Sequence, residues 1–249
     1  MKYFYLSIFF LIASCKTAEK QLTAQQIIDK TIAYSGADKV ANSEITFTFR
    51  DKEYVASRKK NGKFLLIRNQ QKETMEVISD IVSNDGFRRE INAHQFPVAD
   101  SMAIKYANSV NSVHYFSVLP YGLNDKAVQK KLLPTATIKG KEYYKVEITF
   151  SEIGGGEDFE DVFIYWIGKK DFLIDYLAYS YHTNGGGKRF RVLKEQCVKN
   201  GIRFEDYHNY KPKNKPIKLI DIDKAFEDNQ LIKVSEIVLK DIEVKLLDN

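Results

Sequence analysis

The chain has 249 residues, with 38 lysines and arginines against 33 aspartates and glutamates, 16 phenylalanines, 15 tyrosines and 2 cysteines. The charges are mixed along the chain and do not form the one-sided basic patch that nucleic acid requires, so no nucleic-acid partner is expected. The length suits one domain with a sizeable core, and two cysteines cannot build a disulfide framework.

In chain order, Met1-Lys2 precede an apolar run over residues 3–13, and Ser14-Cys15-Lys16 follow. A basic end, a short apolar stretch and small residues before a cut make a signal peptide over residues 1–14. The run falls short of the roughly 20 apolar residues that span a bilayer. Leu11-Ile12-Ala13-Ser14-Cys15 resembles the bacterial lipobox, in which the cysteine is acylated after cleavage. Cys15 is therefore expected to anchor the chain to a membrane, since several acyl chains hold a protein stably. Lys16 stands where an aspartate would retain a lipoprotein in the inner membrane, which favours the outer membrane. Residues 15–22 read as a tether and residues 23–249 as a single β-rich domain. With Cys15 lipidated, Cys197 has no partner in the chain, so it is expected to be a small half-buried hydrophobe in a strand.

Residues 23–35 form the first expected helix, with Thr23 as N-cap, Gln26 as its capping-box partner and Gly36 as the stop. Alternating residues predict strands at 44–50, 53–59, 63–68, 73–79 and 86–91, with Asn61-Gly62 as a hairpin turn. Met102, Tyr106, Val110, Val113 and Phe116 recur at helical spacing and predict a central helix over 99–119, ended by Pro120. A short helical stretch is expected at 126–133. Strands resume at 142–150, 161–168, 172–183, 188–200 and 202–210. Residues 221–228 read as a short helix or turn, and 231–247 as a strand broken near Lys240-Asp241. The order predicts a mainly β (α+β) fold: a strongly curved antiparallel half-barrel, its concave face covered by the N-terminal and central helices.

The chemistry-bearing motifs are sparse. The acidic run Glu157, Asp158, Glu160, Asp161 lacks the spacing of a calcium loop and reads as a solvated turn. His94, His114, His182 and His208 form no ligand pair, so no metal and no cofactor are expected. The triple-glycine loops open strands rather than helices and serve turn geometry. No G-x-S-x-G motif occurs. The strand at 161–168 is apolar on both faces, with Val162, Ile164 and Trp166 on one side and Phe163, Tyr165 and Ile167 on the other. The next strand repeats this, with Ile174, Tyr176 and Ala178 opposite Leu177, Tyr179 and Tyr181. Both faces should be covered.

The stretch 158–167, then 175–181, 185–191 and 201–207, is similar to an uncharacterised family of Bacteroidetes lipoproteins, as is the segment through Phe49-Arg50. The element order resembles the LolA and LolB lipoprotein carriers, half-barrels that hold acyl chains under helices, a likeness of fold alone. The resemblance implies a membrane-anchored domain that binds an acyl chain or lipoprotein lipid. On that reading Tyr165, Tyr179, Tyr181, His182, Arg189 and Arg191 line the site, and Tyr106 and Phe116 cover it. Two other readings stay open. One is a non-catalytic envelope partner using the basic loop 211–218 and a sheet edge. The other is a hydrolase using Asp158, Asp161 and His182, which requires those groups to converge.

Overall fold

The computed structural model describes residues 21–153, 159–182, 185–214 and 216–248. The expected signal peptide, Cys15 and all but the last two tether residues lie outside the described residues, as do Glu157 and Asp158 of the acidic run.

Helix α1 (Ala24–Ser35) begins at the expected capping box: the Gln26 backbone N–H donates to the Thr23 hydroxyl, and the Gln26 side chain accepts the Thr23 N–H at 3.0 Å. Gly36 ends it at φ 68°, where the left-handed backbone favours glycine. A Cβ there would lie 1.8 Å from the Gly201 carbonyl oxygen, so this cap also sets how closely α1 approaches a distant hairpin turn.

Among the described residues, fourteen antiparallel strands make two seven-stranded sheets. The first runs β14-β1-β2-β3-β4-β5-β6, from β1 (Ser43–Phe49), β2 (Lys52–Arg58), β3 (Phe64–Gln71), β4 (Val77–Ser83), β5 (Gly86–Ile91), β6 (His94–Phe96) and β14 (Leu239–Leu246). The second runs β13-β12-β11-β10-β9-β8-β7, from β7 (Val128–Ile138), β8 (Lys141–Phe150), β9 (Val162–Gly168), β10 (Ile174–Tyr181), β11 (Gly187–Lys199), β12 (Ile202–Pro212) and β13 (Leu231–Ile237). Only Val238 separates β13 from β14. One segment therefore pairs with β12 and then with β1, joining the sheets edge to edge. The outer edges, β6 and β7, stay apart, and α2 (Asp100–Ser117) connects them in sequence. This is a half-barrel, mainly β and antiparallel, as the element order predicts.

The second sheet is covered on both faces. Ile164, Trp166, Ala178 and Phe190 pack under α3 (Ile222–Glu227), which contributes Ile222 and Ala225. On the opposite face Val146, Phe163, Tyr165 and Leu177 meet Ile27 and Ile28 of α1. Helix α2 reaches the first sheet through Val110, packed with Ala56 and Leu66, and through His114, set against Phe47 and Tyr54.

Several expectations are corrected. Residues 126–133 are not helical: most of them enter β7, an edge strand paired with β8, and Pro134 falls at its irregularity between Leu133 and Ala136. Proline is tolerated at such an edge and bulge, because no ladder N–H is required of it. The strand expected at 73–79 begins at Val77, after a turn in which Met75 has φ 68°. The short strand β6 was not foreseen. Asp241, at φ 52°, sits at a register shift inside β14, so the irregularity near Lys240-Asp241 is a bulge, while the sheets change at Val238. A register shift between Ile174 and Tyr176 turns Ile174 to the Leu177 side, not to that of Tyr176 and Ala178.

Candidate ligand-binding cavity

A partly open cavity of about 630 Å³ lies between α2, the segment after it and the inner face of the second sheet. That volume falls within the range of about 300–1,000 Å³ usual for small-molecule sites. Its apolar wall is made by Val113 and Phe116 of α2, Phe150 of β8, Phe163 of β9, and Ile237 and Leu239 on either side of the strand crossing. The aromatic rings interlock: Phe116 lies 6.0 Å from Phe163 and 5.7 Å from Tyr179, and the last two stack at 5.5 Å. Such contacts fix the wall beyond simple area burial.

The other part of the lining is polar and comes from strand alternation. Tyr179 pairs with Arg189, and Leu177 with Arg191, across β10 and β11, so both arginines project from the face that carries Phe163 and Tyr165. Arg191 is 8% exposed. Its guanidinium sits 4.0 Å from the centre of the Phe116 ring and donates to the Tyr179 hydroxyl at 3.4 Å. Its Nε has no partner. Arg189 lies over Tyr181 and donates to the Lys188 carbonyl. Glu205 and Tyr207 of β12 and Tyr115 of α2 also line the cavity. Glu205 is bonded to Arg203, which is further held by Gln196 at 2.6 Å and the Ile174 carbonyl at 3.1 Å. Burial pushes the Glu205 carboxyl up to about 7, against the pull of Arg203 and with the help of Asp175. The hydroxyls of Tyr115, Tyr165 and Tyr207 are buried; the first two interact with each other, and that of Tyr207 has no partner among the described residues. Burial raises all three above the ordinary tyrosine range, so they remain neutral donors.

Of the residues singled out in the sequence, Phe116, Tyr179, Tyr181, Arg189 and Arg191 line the cavity. Tyr165 lies fully buried beside Tyr115 rather than on the lining. Tyr106 faces the first sheet, with the Arg89 guanidinium 3.8 Å from its ring and Phe87 beside it. His182 is 64% exposed at its side chain and does not line the cavity. Its Nδ1 lies 3.7 Å from Asp161 Oδ1, beyond hydrogen-bond distance. Asp158, the third member of the hydrolase reading, lies outside the described residues. Tyr115, Glu205 and Tyr207 were missed, although Arg203, Glu205, Tyr207 and Asn209 alternate along β12 in the way an inward polar row must.

Among the described residues no group of three or more His, Cys, Asp or Glu side chains is placed to hold a metal ion. Cys197 is free and half-buried, packed near Phe204 and Val40, and burial raises its thiol above the usual range. No helix among the described residues is long and apolar enough to cross a membrane.

Residues 1–238 match the family of unknown function DUF6503. No protein of curated function matches the chain. Among solved structures, the chain is similar to a LolA superfamily protein from Nitrosomonas europaea, at 11% identity over 92% of this chain and 95% of that one, with a TM-score of 0.47. It is also similar to a DUF1329 family protein from Desulfovibrio piger, at 10% identity over 89% and 92% of the two chains, with a TM-score of 0.44.

Proposed function

The chain belongs to the DUF6503 family of unknown function, and we propose that it is an envelope lipoprotein, anchored through Cys15, that binds one hydrophobic ligand in its half-barrel. The observation that carries this reading is the cavity. The strands hold an apolar wall of Phe116, Phe150, Phe163, Ile237 and Leu239 open to a volume that no side chain among the described residues fills. A core meant only for stability would close on itself, since voids of this size forfeit packing contacts. The opposite face of the same sheet does close, over Trp166 and Phe190. The ligand is an acyl chain or a lipoprotein lipid, and the membrane is the outer one, because Lys16 replaces the retention aspartate.

The test is mass spectrometry of an organic extract of the full chain isolated from its native envelope. A lipid present at about one per chain supports the reading; an extract free of lipid from folded monomer refutes it. Anchoring is tested separately by metabolic labelling with an acyl probe, which Cys15→Ala should abolish.

A second reading, a non-catalytic partner in an envelope complex, draws on the segment that borders the open side. Phe96, Met102 and Ile104 there are all exposed, and such apolar groups mark interaction surfaces when they are contiguous. Co-isolation of one protein in fixed ratio, lost in Phe96→Ser with Ile104→Ser, would favour it.

A further inference from the structure

We infer that the ligand carries a single carboxylate, that of a free long-chain fatty acid, and that Arg191 receives it. The inference rests on the cavity reading above and narrows it from any acyl chain to one with an ionised end.

The argument begins with a charge that the fold does not balance. Among the described residues no carboxylate lies within 4.0 Å of Arg191, whereas the other well-buried basic groups of the second sheet are matched: Lys145 by Asp223, and Arg203 by Glu205. Burying a cation without a counter-charge is costly, and a protein that needed Arg191 only for packing would do better with a methionine or leucine. The contacts that Arg191 does make leave room for an anion. One ring lies beneath the guanidinium, a single long hydrogen bond reaches Tyr179, and Nε is unused.

Beside that cation stands a donor that also lacks an acceptor. The hydroxyl of Tyr207, a lining residue only 3% exposed, has no partner among the described residues, whereas those of Tyr115 and Tyr165 interact with each other. The charge of Arg191 is felt at Tyr165 and Tyr207. Unpartnered buried polar groups are few in folded proteins, and two of them near one another on one cavity wall, Arg191 Nε and the Tyr207 hydroxyl, are what a preformed acceptor site presents. A carboxylate supplies two oxygens, enough for the guanidinium edge and a hydroxyl together.

The sign and size of the charge select the head group. Arg189 also lines the cavity with no carboxylate among the described residues within 4.0 Å, but it is half-buried and held on the Lys188 carbonyl and over Tyr181, which leaves Arg191 as the one well-buried cation to balance one negative charge. Asp125 also lines the cavity, and a dianionic phosphate would meet its repulsion more strongly than a carboxylate would. The chain itself runs along Val113, Phe116, Phe163 and Leu239. A methylene takes about as much room as a water molecule in its liquid, about 30 Å³, so the cavity holds one long chain and not the three of a mature lipoprotein.

The experiment is equilibrium binding of palmitate, hexadecanol and hexadecyl phosphate to the delipidated full-length chain at neutral pH, compared with Arg191→Met and Arg191→Lys. Palmitate should bind one per chain and about tenfold or more tighter than hexadecanol, the size expected when a charge-assisted hydrogen bond is lost. In Arg191→Met the ratio of palmitate to hexadecanol affinity should collapse towards one, and a cooperative thermal melt shows that the variant is folded. Arg191→Lys should restore part of it. Equal binding of palmitate and hexadecanol to the native chain would overturn the carboxylate inference and leave the acyl reading standing. Tighter binding of the phosphate would overturn it in favour of a phosphorylated head. Failure of all three to bind would remove the cavity reading, and this inference with it.

Discussion

His114 and Phe116, two residues apart on α2, face opposite sheets. The His114 ring meets Phe47 and Tyr54 of the first sheet edge-on at 5.8 and 5.5 Å, and the Phe116 ring lies 6.0 Å from Phe163 of the second. Two steps of an α-helix turn through about 200°, so one helix between two sheets must place its contacts in this way. The helix is thus a wall shared by a closed core and an open cavity, and its two sides respond to different perturbations.

The closed side predicts a pH dependence. His114 Nε2 lies 3.1 Å from the Ile67 carbonyl and Nδ1 is buried without a partner. Burial, helped by the nearby charge of Arg58, pushes the imidazole down to about 3 from 6.5. Between those values the unfolded chain binds a proton that the folded chain refuses. The contribution of His114 is therefore whole above pH 6.5 and is lost as pH falls towards 3, by up to about 1.4 kcal/mol per unit. Urea midpoints across this range should fall less steeply with acid in His114→Gln than in the native chain. Glu205 acts with opposite sign below about pH 7 in both proteins, so the difference between them isolates His114.

The open side predicts a gain in stability at the expense of binding. Tyr207→Phe removes a buried hydroxyl that has no partner, which should leave the fold unchanged or raise its stability by about 1 kcal/mol. Palmitate affinity should drop. A melting temperature lowered by several degrees would mean that the hydroxyl has a partner in the native protein.

On the outer face of the second sheet, Lys145 donates to both oxygens of Asp223 at 3.1 and 3.2 Å and to the Ile220 carbonyl, and the Trp166 indole N–H donates to Asp223. Asp223→Ala strands a buried ammonium and should cost about 3–5 kcal/mol. The double variant Lys145→Met, Asp223→Leu should recover much of that loss. Denaturant titration of the four proteins in the cycle reads the coupling directly.

In the first sheet Asp80 is 3% exposed and receives both Arg68 and Arg89, the latter at 2.7 and 3.0 Å. Asp80→Asn should destabilise by about 3 kcal/mol because two half-buried guanidinium groups lose their counter-charge. The ring contact between Arg89 and Tyr106 should loosen with it, which hydrogen exchange along α2 would register.

The parts of this architecture that were legible in the sequence are those written in local chemistry. Thr23 and Gln26 declare a helix start, Gly36 its end, and the two-sided strands around Trp166 and Tyr176 declare a sheet covered on both faces. What was illegible depends on partners far along the chain. Residues 126–133 read as a short helical stretch, yet pairing with β8 makes most of them a strand. Tyr106 and Phe116 share a helix and a similar character, and only the position of the second sheet decides that Phe116 meets the cavity while Tyr106 rests on Arg89. Glu205 and Tyr207 were passed over because a polar residue in a strand ordinarily faces water; that β12 is buried follows from its place between β11 and β13.

The crossing at Val238 has a consequence for biogenesis. The first strand of the chain, β1, receives its second neighbour only from β14, the last, and β12 receives its outer neighbour only from β13 just before it. A polypeptide that emerges from a ribosome or a translocon with its N-terminus first thus carries two unfinished sheet edges until residues 231–246 are released. Such long-range closure is slow. During that interval the apolar wall around Phe116 and Phe163 has no seal and is open to contact with neighbouring chains.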